Sequence, residues 1–229
     1  NPKDVTVTAD DKSKVYGDAD PELTATDSGL LGTDKVTYTL GREAGEKEGT
    51  YAITPSGEEI QGNYTVTYYP GTLTITAQSI VPEDPSYRGV TVDDPRDHEY
   101  DAQEHKWTPT VTDKDGNTLT EGTDYKVSYD TDNFVDVKTI TVTITGEGSY
   151  SGSVTRTYKI TPASATVTAD NKSKMFGEAD PELTADVSGL YGTDKVEYTL
   201  SREPGENVGD YVITASGEAD QGNYTVTYN

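Results

Sequence analysis

The chain has 229 residues, 41 of them acidic and 18 basic, and its net charge of −23 excludes nucleic acid and anionic lipid as natural partners. Only 31% of the residues are hydrophobic, which excludes one large core and fits several small domains. Seventeen tyrosines and many alternating Thr and Val residues exclude a disordered chain. The chain contains no cysteine, which argues against a disulfide-stabilised eukaryotic extracellular module.

Alternation with a period of two residues predicts β-strands in the first third of the chain. The predicted strands are Val5–Thr8, Val36–Leu40, Tyr51–Thr54, Tyr64–Tyr68 and Leu73–Ile75. Pro70 and Gly71 separate the last two, so we expect a bulge there or a point at which one long strand passes between sheets.

The segment Ala19–Leu30 permits two interpretations. Asp20 as an N-cap, Pro21 at the first helical position and Glu22 in the first turn are helix-start signals. Thr24 and Thr26 favour a strand instead. We prefer a turn followed by a strand, and a helix here would make the domain a β-grasp.

The middle of the chain is predicted to contain further strands, at Trp107–Val111, Tyr125–Tyr129, Ile140–Thr145 and Val154–Ile160. Asp115 and Gly116 lie between two apolar positions and predict a hairpin turn. An EF-hand is not expected at Asp113–Asn117, because position 123, where the bidentate Glu would stand, is Thr.

An internal repeat dominates the sequence. With an offset of 160 residues, Asp10–Lys14 aligns with Asp170–Lys174, and Gln61–Tyr68 recurs unchanged as Gln221–Tyr228. We therefore divide the chain into repeat A (1–77), module B (78–162) and repeat A′ (163–229). Repeat A′ is expected to be C-terminally incomplete, since it has no counterpart of Thr72–Ile75, and we interpret the chain as a piece of a longer protein.

The expected fold class is all-β: three tandem small β domains in an elongated array, with Ig-like sandwiches preferred and a β-grasp as the alternative. At each predicted domain boundary one strand continues almost directly into the next, without a Gly/Ser-rich or Pro-rich spacer. We therefore expect stiff joints and a monomeric rod.

Several motifs of repeat A resemble the MBG domain in its Tyr-Gly-X form. They are Tyr16-Gly17-Asp18, Asp20-Pro21, Arg42–Glu46, Gly49–Ile53, Gly62-Asn63-Tyr64 and Thr72–Ile75. Repeat A′ shows the same pattern in Phe176-Gly177, Arg202–Glu206 and Gly209–Ile213. Module B resembles a second Firmicute-type β surface module through Tyr100-Asp101, Gly122–Tyr125, Gly146–Gly152 and Tyr158–Thr161. These resemblances imply extracellular repeats of bacterial adhesins and biofilm proteins, without catalytic residues.

Candidate sites are few. The only histidines, His98 and His105, lie in a polar stretch, so no catalytic site is expected and the protein is not expected to be an enzyme. No cofactor is expected. Calcium is considered only at the carboxylates of the repeated Pro-flanked turn, which are Asp18, Asp20, Glu22, Glu178, Asp180 and Glu182.

Two further possibilities concern binding and cross-linking. Trp107, the only tryptophan, could stack on a sugar ring, although core packing is the more frequent role. Lysine–asparagine isopeptide links are conceivable for side chains that both repeats share: Lys12, Lys14 and Asn63, with Lys172, Lys174 and Asn223.

The sequence thus predicts a non-catalytic stalk of a bacterial cell-surface protein, extracellular and attached to a Gram-positive cell wall. Its distal domains would meet a host glycan or surface protein, and it would bind no nucleic acid and insert into no membrane. Two alternatives stay open: a module that itself binds a glycan or host protein, and an accessory domain of a secreted glycosidase.

Overall fold

The computed structural model describes all 229 residues, and they form strands and loops without a helix. In Ala19–Leu30 a segment without regular structure leads into the strand Ala25–Ser28, so the strand of the preferred interpretation is confirmed and the helix that a β-grasp needs does not form. No helix of the length and apolarity that a membrane span requires is present. The chain divides into two compact units. Unit 1 contains 1–93, 109–128 and 143–155, and unit 2 contains 94–108, 129–142 and 156–229.

Repeat A lies in unit 1 and is built from two four-stranded sheets. Its strands are β1 (Lys3–Ala9), β2 (Lys12–Val15), β3 (Ala25–Ser28), β4 (Thr39–Arg42), β5 (Gly49–Ser56), β6 (Ile60–Gln61), β7 (Tyr64–Tyr69) and β8 (Gly71–Thr76). The first sheet has the order β3-β1-β7-β6 and the second the order β2-β8-β5-β4. In each sheet one parallel pair, β1 with β7 and β2 with β8, lies among antiparallel neighbours.

The chain passes between the two sheets of repeat A five times, and the two shortest passages are those from β1 to β2 and from β7 to β8. The passage at Pro70 and Gly71, where β7 of the first sheet becomes β8 of the second, confirms the predicted sheet switch. Between Ala9 and Lys12 the chain makes the same change from β1 to β2. The two passages touch, because a Cβ atom on Gly71 would lie 2.4 Å from the carbonyl oxygen of Ala9. Only glycine allows this close approach.

Alternate residues of these strands form two cores in repeat A. The first contains Val5, Val7, Tyr64 and Val66, and the second Ala9, Ile53, Leu73 and Ile75. All eight are at most 5% exposed. The small size of each core agrees with the low hydrophobic content of the chain.

The remaining strands that lie wholly in unit 1 are short: β9 (Gln78–Ser79), β10 (Thr91–Val92), β12 (Val111–Thr112) and β15 (Tyr150–Ser151). The boundary between the units falls within β13 (Tyr125–Tyr129), β14 (Lys138–Gly146) and β16 (Ser153–Thr161). These three strands confirm the strand predictions for the second half of module B. At Asp113–Asn117 the predicted turn is present, with Gly116 at a φ of 84°.

Unit 2 contains β11 (His98–Glu99) and the strands of repeat A′, which are β17 (Ala163–Ala169), β18 (Ala185–Ser188), β19 (Thr199–Arg202), β20 (Ile213–Ser216), β21 (Asp220–Gln221) and β22 (Tyr224–Tyr228). The sheet β18-β17-β22-β21 reproduces the first sheet of repeat A. The second sheet is reduced to β19 and β20, because 172–175 and 209–212 are not strands, unlike their counterparts in β2 and β5.

Two predicted strands are shorter than expected. Of Val36–Leu40 only Thr39 and Leu40 are in a strand, and Val36 and Tyr38 instead pack against the first core from a loop. Of Trp107–Val111 only Val111 is in a strand, and it pairs with Val92. In the parts of both segments that are not in a strand, alternate side chains are at least partly buried although the backbone is not paired in a sheet.

Candidate functional site

A cluster of four charged side chains occupies the same position in both repeats. In repeat A the Lys14 Nζ atom lies 2.7 Å from Asp20 Oδ1 and 2.6 Å from Glu46 Oε2, and Arg42 Nε lies 2.6 Å from Asp20 Oδ2. Arg42 also pairs with Glu46. The cluster ties β2, the turn before β3 and the segment after β4 together. Lys174, Asp180, Arg202 and Glu206 repeat the arrangement in A′.

These contacts shift the pKa values of the cluster so that the charged form of each group is favoured. The hydrogen bonds from Arg42 and then Lys14 lower the pKa of Asp20 to about 2. Arg202 and Lys174 do the same for Asp180, whose pKa is also lowered to about 2. Burial alone would lower the pKa of Lys14, but its bonds to Asp20 and Glu46 outweigh burial and raise it. All four groups stay charged at neutral pH, which leaves none of them free as an acid or base.

The structure places the calcium candidates at separate contacts. Asp20 and Asp180 accept from the cations of the charge clusters, and Asp18 accepts from Arg88. Glu178 accepts from the amide of Met175 at 3.1 Å, and Glu22 and Glu182 are exposed. No group of three or more His, Cys, Asp and Glu side chains is placed to hold a metal. Calcium binding at these residues stays a prediction, in which the ion would compete with Arg42, Arg88 and Lys14.

The two histidines are close in space. The rings of His98 and His105 are stacked with 4.3 Å between centroids, and His105 Nε2 lies 2.8 Å from Asp101 Oδ1. The main chain of His105 is bonded to the carbonyl of Phe134 and the hydroxyl of Tyr158. These bonds hold the loop 101–105 in place, and the absence of a catalytic histidine stays a prediction.

The remaining sequence candidates are held by other contacts. Trp107 is half-buried, and its main chain accepts from the hydroxyl of Tyr129 and donates to that of Tyr158. Lys14 belongs to a charge cluster, whereas Asn223 bonds Asp136 and the amide of Val137. Lys174 pairs with Asp180 and Glu206, so Lys174 and Asn223 have different partners, and an isopeptide link stays a prediction.

The most specific polar contacts in unit 1 join repeat A to module B, and we call them the first junction. Arg88 Nε and Nη2 donate to the two carboxylate oxygens of Asp18 at 2.7 and 2.9 Å, which is a bidentate pair. The ring of Tyr16 meets that of Tyr150 edge to face, with centroids 5.5 Å apart. Burial raises the pKa of Tyr150, and Arg88 lowers that of Asp18.

The main chain of the first junction is itself part of a sheet. The amides of Gln78 and Ile80 donate to the carbonyls of Ser149 and Ser151, both at 2.9 Å. Gln78 and Ser79 are 3% and 1% exposed. The connection between repeat A and module B is therefore a buried, paired strand, and it contains no free linker residues.

Unit 2 contains an equivalent set of contacts between module B and repeat A′, the second junction. The hydroxyls of Tyr100 and Tyr224 both donate to Asp194 Oδ2, at 2.8 and 2.7 Å. Asn223 accepts from the amide of Val137 at 2.9 Å and donates to Asp136 at 2.8 Å. Burial and, after it, the hydrogen bond to the Asp194 carboxylate raise the pKa of Tyr224 to about 12. Repeat A thus contacts module B through Tyr16 and Asp18, whereas repeat A′ uses Asp194, Asn223 and Tyr224, which are not the counterparts of those two residues.

The sequence did not identify the junction residues, because their partners lie far away in the chain. Asp18 was considered only as a calcium ligand, yet it is bonded to Arg88, 70 positions later. One feature of the sequence could have identified these residues: Tyr16 and Asp18 are replaced by Phe176 and Glu178 within an otherwise shared motif, which indicates a contact that repeat A′ does not make.

A known family model matches both repeats of the chain. The profile described as "MBG domain (YGX type)" matches residues 5–74 and 165–229, which together make up more than half of the chain. The two matches coincide with repeats A and A′ and confirm the resemblance inferred from the motifs. MBG domains are non-catalytic repeats found in bacterial surface proteins. No curated protein matches the chain.

Proposed function

Because this chain belongs to the MBG domain (YGX type) family, we propose that it is a non-catalytic spacer of a bacterial cell-surface protein. In this role it holds a distal binding domain away from the cell wall, in an adhesin or biofilm protein. The family match supports an extracellular repeat. Net charge of −23, distributed over both repeats and module B, keeps neighbouring modules soluble.

The observation that carries the proposal is the construction of the junctions. A spacer transmits position only when its connections resist bending, and flexible connections would need free residues between domains. At the first junction the connecting residues Gln78 to Ile80 are buried and paired with 149–151. Around them, the bidentate Asp18–Arg88 pair and the Tyr16–Tyr150 ring contact fix the orientation.

Hydrogen exchange tests this proposal at single residues. In a fixed junction the amides of Gln78 and Ile80 exchange as slowly as those of Leu73 and Ile75 in the neighbouring strand β8, because they open only when the domain unfolds. Exchange of Gln78 and Ile80 at the rate of exposed loops, with β8 still protected, would show that the connection is a flexible linker and contradict the spacer.

A glycan array separates the spacer from a binding module. The spacer predicts no saturable binding to any glycan by the 229-residue chain. Saturable binding that is lost in a Trp107→Ala variant, whose fold is verified by its melting curve, would replace the spacer by a sugar-binding function. Trp107 is the residue to change, because its ring is only half-buried and it is the single tryptophan of the chain.

A further inference from the structure

Three tyrosine rings meet at the second junction. The ring of Tyr100 contacts those of Tyr191 and Tyr224 edge to face, with centroids 5.9 and 5.5 Å apart. Tyr100 and Tyr224 are 4% and 3% exposed, whereas Tyr191 is 39% exposed. All three belong to unit 2. The cluster therefore consists of two buried rings and one ring that a dissolved reagent can reach.

One carboxylate accepts the hydroxyl protons of both buried rings. Tyr100 and Tyr224 donate to Asp194 Oδ2 at 2.8 and 2.7 Å. The bond from Tyr224, and after it the bond from Tyr100, lowers the pKa of Asp194, so the carboxylate is ionised at neutral pH. The same carboxylate raises the pKa of Tyr100, so this phenol keeps its proton. Asp194 is therefore a base held at hydrogen-bond distance from two phenols.

This arrangement favours oxidation of one particular pair of rings. A buried phenol that loses an electron must also lose its proton, because a charged radical is costly away from water. Asp194 can take one such proton, and the exposed Tyr191 can release its own to water. The ring in contact with Tyr191 is that of Tyr100. Tyr224 instead holds the main chain, since its hydroxyl accepts from the amide of Tyr191 at 2.9 Å.

We propose that Tyr100 and Tyr191 are a site of oxidative cross-linking, at which hydrogen peroxide and a haem peroxidase join module B to repeat A′ by a carbon–carbon bond. Each ring loses one electron and its phenol proton, which passes from Tyr100 to Asp194 and from Tyr191 to water. The two radicals couple through ring carbons next to the hydroxyl-bearing carbons, and the hydrogens of those ring carbons move to the oxygens and restore both phenols. In total two hydrogen atoms leave the protein and one peroxide is reduced to two waters.

The chain also contains two partial versions of this site. In repeat A the phenol and the base are present, since Tyr64 donates to Asp34 at 2.6 Å, but Leu31 stands where repeat A′ has the exposed ring. At the first junction the ring pair is present, but the hydroxyl of Tyr150 has Tyr16 as its hydrogen-bond partner instead of a carboxylate. The second junction combines the ring pair with the base, so we expect the cross-link there.

The test treats the 229-residue chain with a haem peroxidase and limiting hydrogen peroxide. The monomer is expected to lose the mass of two hydrogen atoms and to gain dityrosine fluorescence. Protease digestion and mass spectrometry should then recover a cross-linked peptide pair that contains Tyr100 and Tyr191. The proposal would be overturned by a monomer without a cross-link, or by a monomer whose cross-link joins Tyr100 to Tyr224 or the two tyrosines of the first junction.

Variants of the chain test the role of each group. Tyr191→Phe keeps the ring and removes the phenol, so it is expected to abolish the cross-link, whereas Tyr69→Phe, at another exposed tyrosine, should leave it unchanged.

Asp194→Asn removes the base and is expected to slow the initial rate by about a hundredfold, and Asp34→Asn, at the equivalent position of repeat A, is the matched control. An unchanged rate in Asp194→Asn, or a cross-link that survives Tyr191→Phe, would contradict the proposal. Mapping of the unaltered chain keeps the test decisive if Asp194→Asn does not fold.

Discussion

Arg88 and Asp18 form a bidentate pair, with nitrogen–oxygen distances of 2.7 and 2.9 Å, although 70 positions separate them in the sequence. Both side chains are about one-third exposed, at 30% and 34%. The pair is therefore partly screened by solvent, which limits its contribution to stability. Its two parallel hydrogen bonds also fix the orientation of Arg88 relative to Asp18. It is the only one of the junction contacts described above in which both partners carry a full charge.

A double-mutant cycle measures what this pair contributes. From Arg88→Ala, Asp18→Ala and the double variant, we expect a coupling energy of about 0.5–1 kcal/mol in thermal or denaturant unfolding, decreasing with added salt. The control cycle uses Lys114 and Asp115, a neighbouring pair that is more than half exposed, and should give a coupling near zero. Equal coupling in the two cycles would mean that the bidentate geometry at the first junction adds nothing.

The charge clusters predict a pH dependence with a definite sign. The pKa of Asp20 is about 2, below its ordinary value of 3.8, so its carboxylate stabilises the folded state above about pH 4. That contribution is lost as the pH falls from about 4 to 2, since the unfolded chain takes up the proton first. Stability of both repeats should therefore decrease over this interval, and Asp180 should behave in the same way.

The two repeats supply the control for this prediction. Carboxyl-carbon NMR titration of Arg42→Gln should show the Asp20 midpoint moving up toward its ordinary value, because the first and largest cause of the shift is removed. In the same sample Asp180 should keep its low midpoint, since Arg202 is intact. An unchanged Asp20 midpoint would mean that Lys14 alone holds the carboxylate ionised.

Gly71 is predicted to be indispensable for the passage between sheets. In Gly71→Ala the new Cβ would lie 2.4 Å from the Ala9 carbonyl oxygen, and we expect a loss of about 1–3 kcal/mol, measured by chemical unfolding. Gly41→Ala is the matched control, because a Cβ there meets no atom within 4 Å and repeat A′ carries Ser201 at the equivalent position. Similar losses in both variants would show that strand glycines matter here through propensity and not through contact.

The second core of repeat A should depend strongly on β8. Leu73→Ala is expected to destabilise repeat A by about 2–5 kcal/mol, because it leaves a cavity at a fully buried site. Thr74→Ala, in the same strand but exposed, should cost less than about 1 kcal/mol. Hydrogen exchange should place the loss in β2, β5 and β8, with β17 and β22 of repeat A′ unaffected. Faster exchange in β17 and β22 would show that the two repeats unfold together.

Residue alternation predicted the fold class and most strands. It failed where alternate side chains are at least partly buried although the backbone is not paired in a sheet. Val36 and Tyr38 alternate inward like strand residues, yet they contact the first core from a loop. Alternation reports which side chains are buried, and backbone pairing requires a neighbour that a single sequence does not reveal. For the same reason Arg88 and Tyr100 were not predicted at the junctions, since their partners are 70 and 94 positions away.

The parallel pairing of β1 with β7 and of β2 with β8 has a mechanical consequence. Lys3 at the start of β1 pairs beside Tyr64, and Val15 at the end of β2 pairs beside Thr76, so the chain enters repeat A at one end of its parallel strand pairs and leaves at the other. A tensile force along the polypeptide would pull β1 and β7 past each other in shear. Every hydrogen bond of the ladder between them would resist that force at once, whereas an unzipping geometry would break the bonds singly. Repeat A should accordingly withstand tension along the polypeptide better than its small cores suggest.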